Sequence, residues 1–268
     1  MDGACKGSHN IRRTMSGKTD YLVDLAKTCA RLDGRKEDEF RKIEIQKGLI
    51  EKAEGSALVK LGSTQILAGV KMEVKEPFPD TPNEGVLVVG AELSPIASPE
   101  FGSGPPDENS IELARIVDRS IRESHAIDTE KLCIVEKEKV WFVNVDLYIL
   151  DDSGNLIDAS ALAAISALMD SKMPKYDGEK IIYEEKTKKL PLTCKPVAVT
   201  HVKVAESLFA DPVSEEEQAS TARMTVGTKD NGNICALQKG GTEGLTLKQA
   251  EHLFEKSIEI GKTLRKLL

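Results

Sequence analysis

The feature of this sequence that most restricts its fold is a stretch in which apolar and polar residues alternate in short runs. The runs are Arg41 to Ile50, Ala57 to Leu61 and Gln65 to Val74, separated by Glu54-Gly55-Ser56 and Gly62-Ser63-Thr64. A period of two residues places successive side chains on opposite faces of a strand, and short glycine-containing breaks are typical of turns between antiparallel strands. The stretch therefore predicts antiparallel hairpins.

Further strands and loops follow this stretch. Strands are predicted at Gly85 to Leu93, Lys131 to Val135, Lys139 to Leu150, Pro196 to Val204, Ala222 to Gly227 and Ile234 to Lys239. Loops are predicted at Lys75 to Glu84, Ser94 to Pro106 and Pro212 to Gln218, the first two because they contain several prolines and the third because it is acidic. Residues 172–195 are predicted to form either a linker or an exposed hairpin.

Helical periodicity occurs in four places. The predicted helices run from Thr19 to before Leu32, from Asp107 to Ser124, from Ala159 to about Ser171 with Asp158 as the cap, and from Thr246, where Gln249 completes a capping box. The last helix is predicted to bury Leu253, Ser257, Ile260 and Leu264. Strands followed by a helix thus occur twice, which favours two related α+β domains. We place these domains at residues 19–190 and 191–268, after a disordered N-terminal extension over residues 1–18.

Composition excludes several classes of protein. Five scattered cysteines without a C-x-x-C pair argue for free thiols in a cytoplasmic protein, and neither they nor the four histidines show metal-ligand spacing. No apolar run is long enough to span a membrane, and no nucleotide-binding glycine motif is present, so we expect no cofactor. The net charge of −7 repels nucleic acid, so any contact with RNA must be local.

The predicted helix from Asp107 to Ser124 carries a local concentration of positive charge. Arg115, Arg119 and Arg122 follow one another at i, i+4 and i+7, so they share a helix face. The opposite face contains Leu113, Ile116, Val117 and Ile121. The three guanidinium groups are either neutralised by acidic neighbours, namely Glu108, Glu112 and Asp118, or they bind an anion such as phosphate.

Four motifs occur in order along the chain: Leu32-Asp33-Gly34-Arg35, the run from Gly55 to Thr64, Pro105-Pro106-Asp107-Glu108, and the arginine helix. Together they resemble the RNase PH family, and more closely the non-catalytic ring subunits of archaeal RNA exosomes. The resemblance extends from about Leu32 to the C-terminal helix. It implies an α+β, RNase PH-like fold of two related domains, the first similar to domain 2 of ribosomal protein S5. It also implies a hexameric ring of heterodimers that shortens RNA from its 3′ end by phosphate attack.

The resemblance also indicates which kind of ring subunit this chain is. Active family members hold phosphate at a helix start, in a Gly-Gly-Thr-Arg-Ser/Thr-like loop whose N–H groups attract the anion. The corresponding stretch here is a degenerate phosphate loop, Gly154-Asn155-Leu156-Ile157-Asp158, in which Ile157 replaces the arginine and Asp158 replaces the hydroxyl. A carboxylate at Asp158 is expected to occupy the helix N–H groups and repel phosphate.

The acidic pair of active members is also incomplete in this sequence. Glu216 and Glu217 remain near its first position, but Ala222 lies about where the second carboxylate belongs, and Arg223 follows it. Metal-assisted activation of phosphate would therefore lack a ligand, so the resemblance implies neither catalytic nor metal-binding residues in this chain.

The expected function is that of a non-catalytic exosome core subunit that structures the partner's active site and helps to bind RNA. Arg119 is the first choice for an RNA phosphate contact, Arg115 the second and Arg122 the third. The expected partners are the catalytic RNase PH-like subunit, RNA-binding cap proteins and single-stranded RNA, with Ala159 to Ala167 and both sheets packing against the catalytic subunit. Two alternatives remain: an active phosphorolytic exoribonuclease with an atypical phosphate loop, and a stand-alone RNA-binding module.

Overall fold

The computed structural model describes residues 19–268, and the predicted N-terminal extension of residues 1–18 lies outside this range. The helices in the described part are α1 (19–26), α2 (Glu108–Glu123), α3 (Leu156–Asp170), α4 (Ser214–Ala219) and α5 (Leu247–Arg265), with a 3₁₀ turn at Glu130–Leu132. The first group of strands is β1 (Ile43–Lys47), β2 (Gly55–Leu61), β3 (Thr64–Lys75), β4 (Val86–Leu93), β5 (Cys133–Val135) and β6 (Lys139–Asp151). The second group is β7 (Lys172–Tyr176), β8 (Ile181–Lys189), β9 (Val197–Val204), β10 (Ser207–Ala210), β11 (Ala222–Thr228) and β12 (Ile234–Gly241).

The first sheet has the strand order β1-β2-β3-β6-β4, and β5 pairs with β6. The predicted antiparallel pairing of β1, β2 and β3 is confirmed. Gly62, in the tight turn between β2 and β3, has φ +58°, a left-handed conformation that glycine adopts without steric cost. Val59 and Ile66 face each other across this hairpin and are fully buried, so the alternating pattern marks the core face of the sheet.

Helix α3 lies between the two sheets. It packs against β2 and β3 of the first sheet and against β9 of the second sheet, whose strand order is β10-β9-β11-β12. Its alanines are at most 5% exposed within this single chain. Small side chains suit this position, because they let two sheets approach one helix closely. The expectation that Ala159 to Ala167 pack against a partner chain is therefore wrong.

Helices α2 and α5 begin where the sequence predicts. Asp107 caps α2 by accepting a hydrogen bond from the Ser110 N–H at 2.8 Å, and the apolar face of α2 is buried. Thr246 and Gln249 form the predicted capping box of α5, with the Thr246 N–H 3.0 Å from Gln249 Oε1. Three of the four residues predicted to be buried on α5 are buried, and Ile260 is partly buried against the core.

Two predicted elements differ from the structure, and the structure decides between the two alternatives for a third. Helix α3 begins at Leu156 with Asn155 as its cap, so Asp158 is its third residue and not its cap. Helix α4 covers most of the predicted acidic loop from Pro212 to Gln218. Residues 172–195 contain the β7–β8 hairpin, whose second strand is largely exposed, so the hairpin alternative is correct. Strand β10 was not predicted at all.

Candidate functional site

The three arginines of α2 are all exposed, but they differ in their contacts. Arg122 Nη2 lies 2.7 Å from Asp118 Oδ1 and 3.0 Å from the Leu87 carbonyl oxygen. The hydrogen bond with Asp118 raises the pKa of Arg122 above its usual value. Within residues 19–268, Arg115 and Arg119 make no hydrogen bond or ion pair. Arg122 is therefore the arginine that an acidic neighbour neutralises. The guanidinium groups of Arg115 and Arg119 remain available to an anion.

Arg115 and Arg119 border a groove of about 420 Å³ between α2 and strand β12. Glu112 also lines the groove, but its Oε1 accepts a hydrogen bond from Arg223 Nη2 at 2.6 Å. Of the three acidic neighbours expected to neutralise the arginines, Glu112 is thus paired with the second sheet and Asp118 with Arg122, while Glu108 also lines the groove. Gln238 from β12 completes the wall. The groove presents two cations that have no ion-pair partner among residues 19–268, an arrangement that can attract an anion.

The start of α3 is organised around Asn155, which has φ +57° and caps the helix. Its Nδ2 donates to Asp158 Oδ2 at 2.9 Å and to Asp211 Oδ1 at 2.8 Å. Asp158 is fully buried, and its carboxylate accepts hydrogen bonds from Thr200 N at 2.9 Å and Thr200 Oγ1 at 2.7 Å. The expectation that Asp158 occupies the helix N–H groups is therefore wrong, because this carboxylate ties α3 to β9. Burial raises the pKa of Asp158 to about 7 despite these hydrogen bonds.

A different carboxylate lies at the start of α3. Glu217 Oε1, from α4, accepts a hydrogen bond from the Asn155 N–H at 3.0 Å. Gly154 has φ +88°, and a Cβ placed on it would lie 2.5 Å from Ser214 N. Helix α4 thus packs directly against the degenerate phosphate loop, and Ile157 is buried in the core. Burial raises the pKa of Glu217 to about 7.

A buried ion cluster beside this loop was not foreseen from the sequence. Asp211 Oδ1 lies 2.7 Å from Arg41 Nη2, and Asp211 Oδ2 lies 2.8 Å from Arg35 Nη1. Arg31 Nη2 lies 2.6 Å from Glu216 Oε2. Burial alone would raise the pKa of Asp211, but its hydrogen bond and charge interaction with Arg41 lower the pKa below its usual value. The cluster joins the segment before β1 to the segment that precedes α4.

The residues expected to be remnants of an acidic pair have structural surroundings of their own. Glu216 is held by Arg31, Glu217 receives the Asn155 N–H, and Ala222 is buried at the start of β11. No group of three or more His, Cys, Asp or Glu side chains within residues 19–268 is arranged to hold a metal ion. In the same range, no helix is both long and apolar enough to cross a membrane.

A helix shared by two sheets, with the arginine-bearing helix α2 beside it, is the architecture of the class of RNase PH-fold proteins. Rice Rrp46 has the same fold at 17% identity and a TM-score of 0.66, with 89% of this chain and 100% of that chain covered. The family model for domain 1 of the 3′ exoribonuclease family matches residues 39–174, and the model for domain 2 matches residues 194–260. The chain belongs to this 3′ exoribonuclease family, the RNase PH family.

Closely similar relatives carry one name. The exosome complex component Rrp42 of Archaeoglobus fulgidus is 51% identical over 251 residues, which cover 92% of this chain and 94% of that protein. The protein of the same name from Methanothermobacter thermautotrophicus is 51% identical over 228 residues, 84% of each chain. A chain of the A. fulgidus exosome with RNA bound to the active site is 50% identical with a TM-score of 0.89, with 94% of this chain and 98% of that chain covered.

Proposed function

We propose that this chain is a non-catalytic core subunit of an archaeal exosome, a 3′-to-5′ phosphorolytic exoribonuclease. In this proposal it alternates with a catalytic RNase PH-like subunit as three heterodimers in a hexameric ring, and cap proteins bind the ring. Its relatives are named exosome components, and a similar chain belongs to a structure described as the archaeal exosome core. The four described cysteines are free, which fits a reducing cytoplasm.

The closed start of α3 carries the non-catalytic part of the proposal. A phosphate at this helix start needs free N–H groups and room for its oxygens. Here the Asn155 N–H donates to Glu217, and the backbone at Ser214 lies against Gly154. In this proposal Ile157, which is buried, occupies the position at which active family members have an arginine. Nothing in this arrangement holds or activates an attacking phosphate.

The arginine groove supports the RNA-binding part of the proposal. Arg119 and Arg115 are exposed and have no partner in the described residues, whereas Arg122 is paired with Asp118. Guanidinium groups bind phosphate in a bidentate manner, and phosphate contacts position a nucleic acid without reading its sequence. The chain thus supplies the catalytic neighbour with an electrostatic hold on the RNA backbone.

The deciding experiment measures phosphate-dependent release of nucleoside diphosphates from a single-stranded RNA. The purified chain alone is expected to release none, and addition of the catalytic subunit of the same organism is expected to give a ring that trims the RNA. The mass of the mixture is measured by light scattering. Release by this chain alone, at the rate of an active family member, would contradict the non-catalytic assignment. Free monomers after mixing at micromolar concentration would instead favour a stand-alone RNA-binding module.

A further inference from the structure

The first sheet has a second face that the helices of the described chain leave partly open. Val88 on β4 and Tyr148 and Leu150 on β6 are 43%, 42% and 40% exposed. Ile96, in the loop that follows β4, is 81% exposed, and the neighbouring Ala97 carbonyl accepts a hydrogen bond from the Asp152 N–H at the end of β6. Exposed apolar side chains grouped on one sheet face are typical of protein interfaces. We call this surface, which carries Val88, Ile96, Tyr148 and Leu150, the open face.

A hollow lies in the middle of the open face. Asp146 on β6 is flanked in register by Gly69 on β3 and Gly90 on β4. A Cβ on Gly69 would meet no atom within 4 Å, and one on Gly90 would meet only Asp146 Oδ1, at 3.5 Å. Beside Asp146 a cavity of about 580 Å³ opens, bounded by β4, β6 and residues 101–107. The two glycines leave room beside the carboxylate for an incoming side chain.

The cavity is acidic. Its walls contain the carboxylates of Glu92, Asp107 and Asp146, and they contain no lysine or arginine. Asp146 is half-buried and makes no hydrogen bond or ion pair with any residue from 19 to 268. Burial, and then the nearby charge of Glu73, raise the pKa of Asp146 above its usual value. A half-buried carboxylate without a partner is costly, and a cationic group placed against it would remove that cost.

We propose that the open face binds the catalytic subunit of the ring, and that this partner inserts an arginine or lysine side chain into the cavity against Asp146. The inference rests on the proposed function and specifies which surface of this chain the partner uses. Tyr148 and Val88 supply apolar contacts around the ion pair, which is the usual arrangement of a charged anchor within an interface.

Other occupants fit the open face less well. RNA is excluded by charge, because its phosphates would meet three carboxylates. A divalent cation lacks a site, since the described residues contain no metal-binding group of three acidic, histidine or cysteine side chains. A second copy of this chain, docked through the same face about a two-fold axis, would bring two acidic cavities together.

The test measures the dissociation constant between this chain and the recombinant catalytic subunit of the same organism by sedimentation velocity. Asp146→Ala is expected to weaken binding by about 10- to 100-fold, and Asp146→Lys by more, because it opposes like charges. Val88→Ser is expected to weaken binding by about 3- to 10-fold, since it removes an exposed apolar contact. The matched control is Glu179→Lys, which makes the same charge change in the β7–β8 turn and is expected to leave binding unchanged.

The outcomes separate this inference from the proposed function. The melting temperature of each variant is measured first, and Asp146→Ala is expected to fold normally because Asp146 has no partner to lose. If the wild-type chain does not bind the catalytic subunit, the proposed function fails and this inference fails with it. If the wild-type chain binds while Asp146→Ala and Asp146→Lys bind equally well, only this inference is overturned. Self-association of the wild-type chain that Asp146→Lys abolishes would likewise overturn the choice of partner.

Discussion

Arg119 and Arg122 extend from the same helix face one turn apart, yet only Arg122 has an internal partner. In the assembled ring, Arg119→Ala is expected to weaken RNA binding by about 1.5 to 3 kcal/mol, the range for a hydrogen bond to a charged group. The slope of the logarithm of the RNA-binding constant against the logarithm of salt concentration should decrease in magnitude by somewhat less than one unit, because one phosphate contact is lost. Arg122→Ala is the matched control and is expected to affect RNA binding less. Equal affinity and salt dependence for wild type and Arg119→Ala would show that Arg119 does not contact the RNA.

The buried carboxyl group of Asp158 is expected to make the free energy of unfolding depend on pH. Its pKa rises from 3.8 to about 7 on folding, so the folded state favours the protonated acid. The group's favourable contribution to folding is therefore complete below about pH 4, and it is lost as the pH rises through about 7. Asparagine keeps the shape and remains neutral, and its amide can donate to Thr200 Oγ1, which in turn can donate to Thr225 Oγ1. Asp158→Asn is expected to unfold later in urea than wild type at pH 8, by on the order of 2 kcal/mol, with the advantage shrinking towards pH 5. An advantage that is the same at both pH values would show that Asp158 is ionised without cost.

Among the contacts between secondary-structure elements, the contact of α4 with the start of α3 tests whether that helix start is closed to an anion. Glu217→Ala leaves the Asn155 N–H without its acceptor, which is expected to destabilise the chain by about 1 to 3 kcal/mol. The same change opens space at a helix start, so inorganic phosphate at matched ionic strength is expected to raise the melting temperature of this variant and not that of wild type. Gln218→Ala, an exposed change on the same helix, serves as the control. If phosphate stabilises wild type and Glu217→Ala equally, Glu217 does not block an anion.

The elements that the sequence predicts correctly are those with a local signal. Helix α2 has a cap and an apolar face within eighteen residues, and the turn at Gly62 is marked by its own glycine. Helix α4 has only six residues, three of them consecutive glutamates, and no apolar period distinguishes it from a loop. Asn155 caps α3 in a left-handed conformation that its contacts with Asp211 and Asp158 stabilise, so Asp158 was the more obvious cap from sequence alone.

The candidate site was predictable only in part for a similar reason. The spacing of Arg115, Arg119 and Arg122 places them on one face, but it does not show which of them has a partner. Glu112 pairs with Arg223, which lies 111 residues further along the chain. Such long-range pairs have no local signature.

For the whole molecule, Asp211 is the residue on which distant segments converge. It is fully buried and binds Arg35 and Arg41, whose side chains are only 10% and 11% exposed. Asp211→Ala leaves the nearly buried Arg41 without a carboxylate and Arg35 with only the more exposed Asp33, and it is expected to cost about 3 to 5 kcal/mol of unfolding free energy in urea. Asp33→Ala, which removes a more exposed partner of Arg35, is the control and is expected to cost less than about 1 kcal/mol. Similar losses for the two variants would mean that the buried cluster contributes little.

The position of α3 between the two sheets has a consequence for how the chain is made. The face of α3 that packs on β9 finds its partner only when Val197–Val204 is present, some forty residues after the helix begins. A chain still growing on the ribosome therefore holds β1 to β6 and α3 with an apolar helix surface exposed until β9 has emerged. A truncated product that ends near Lys189 would carry this exposed helix surface permanently and is expected to be prone to aggregation.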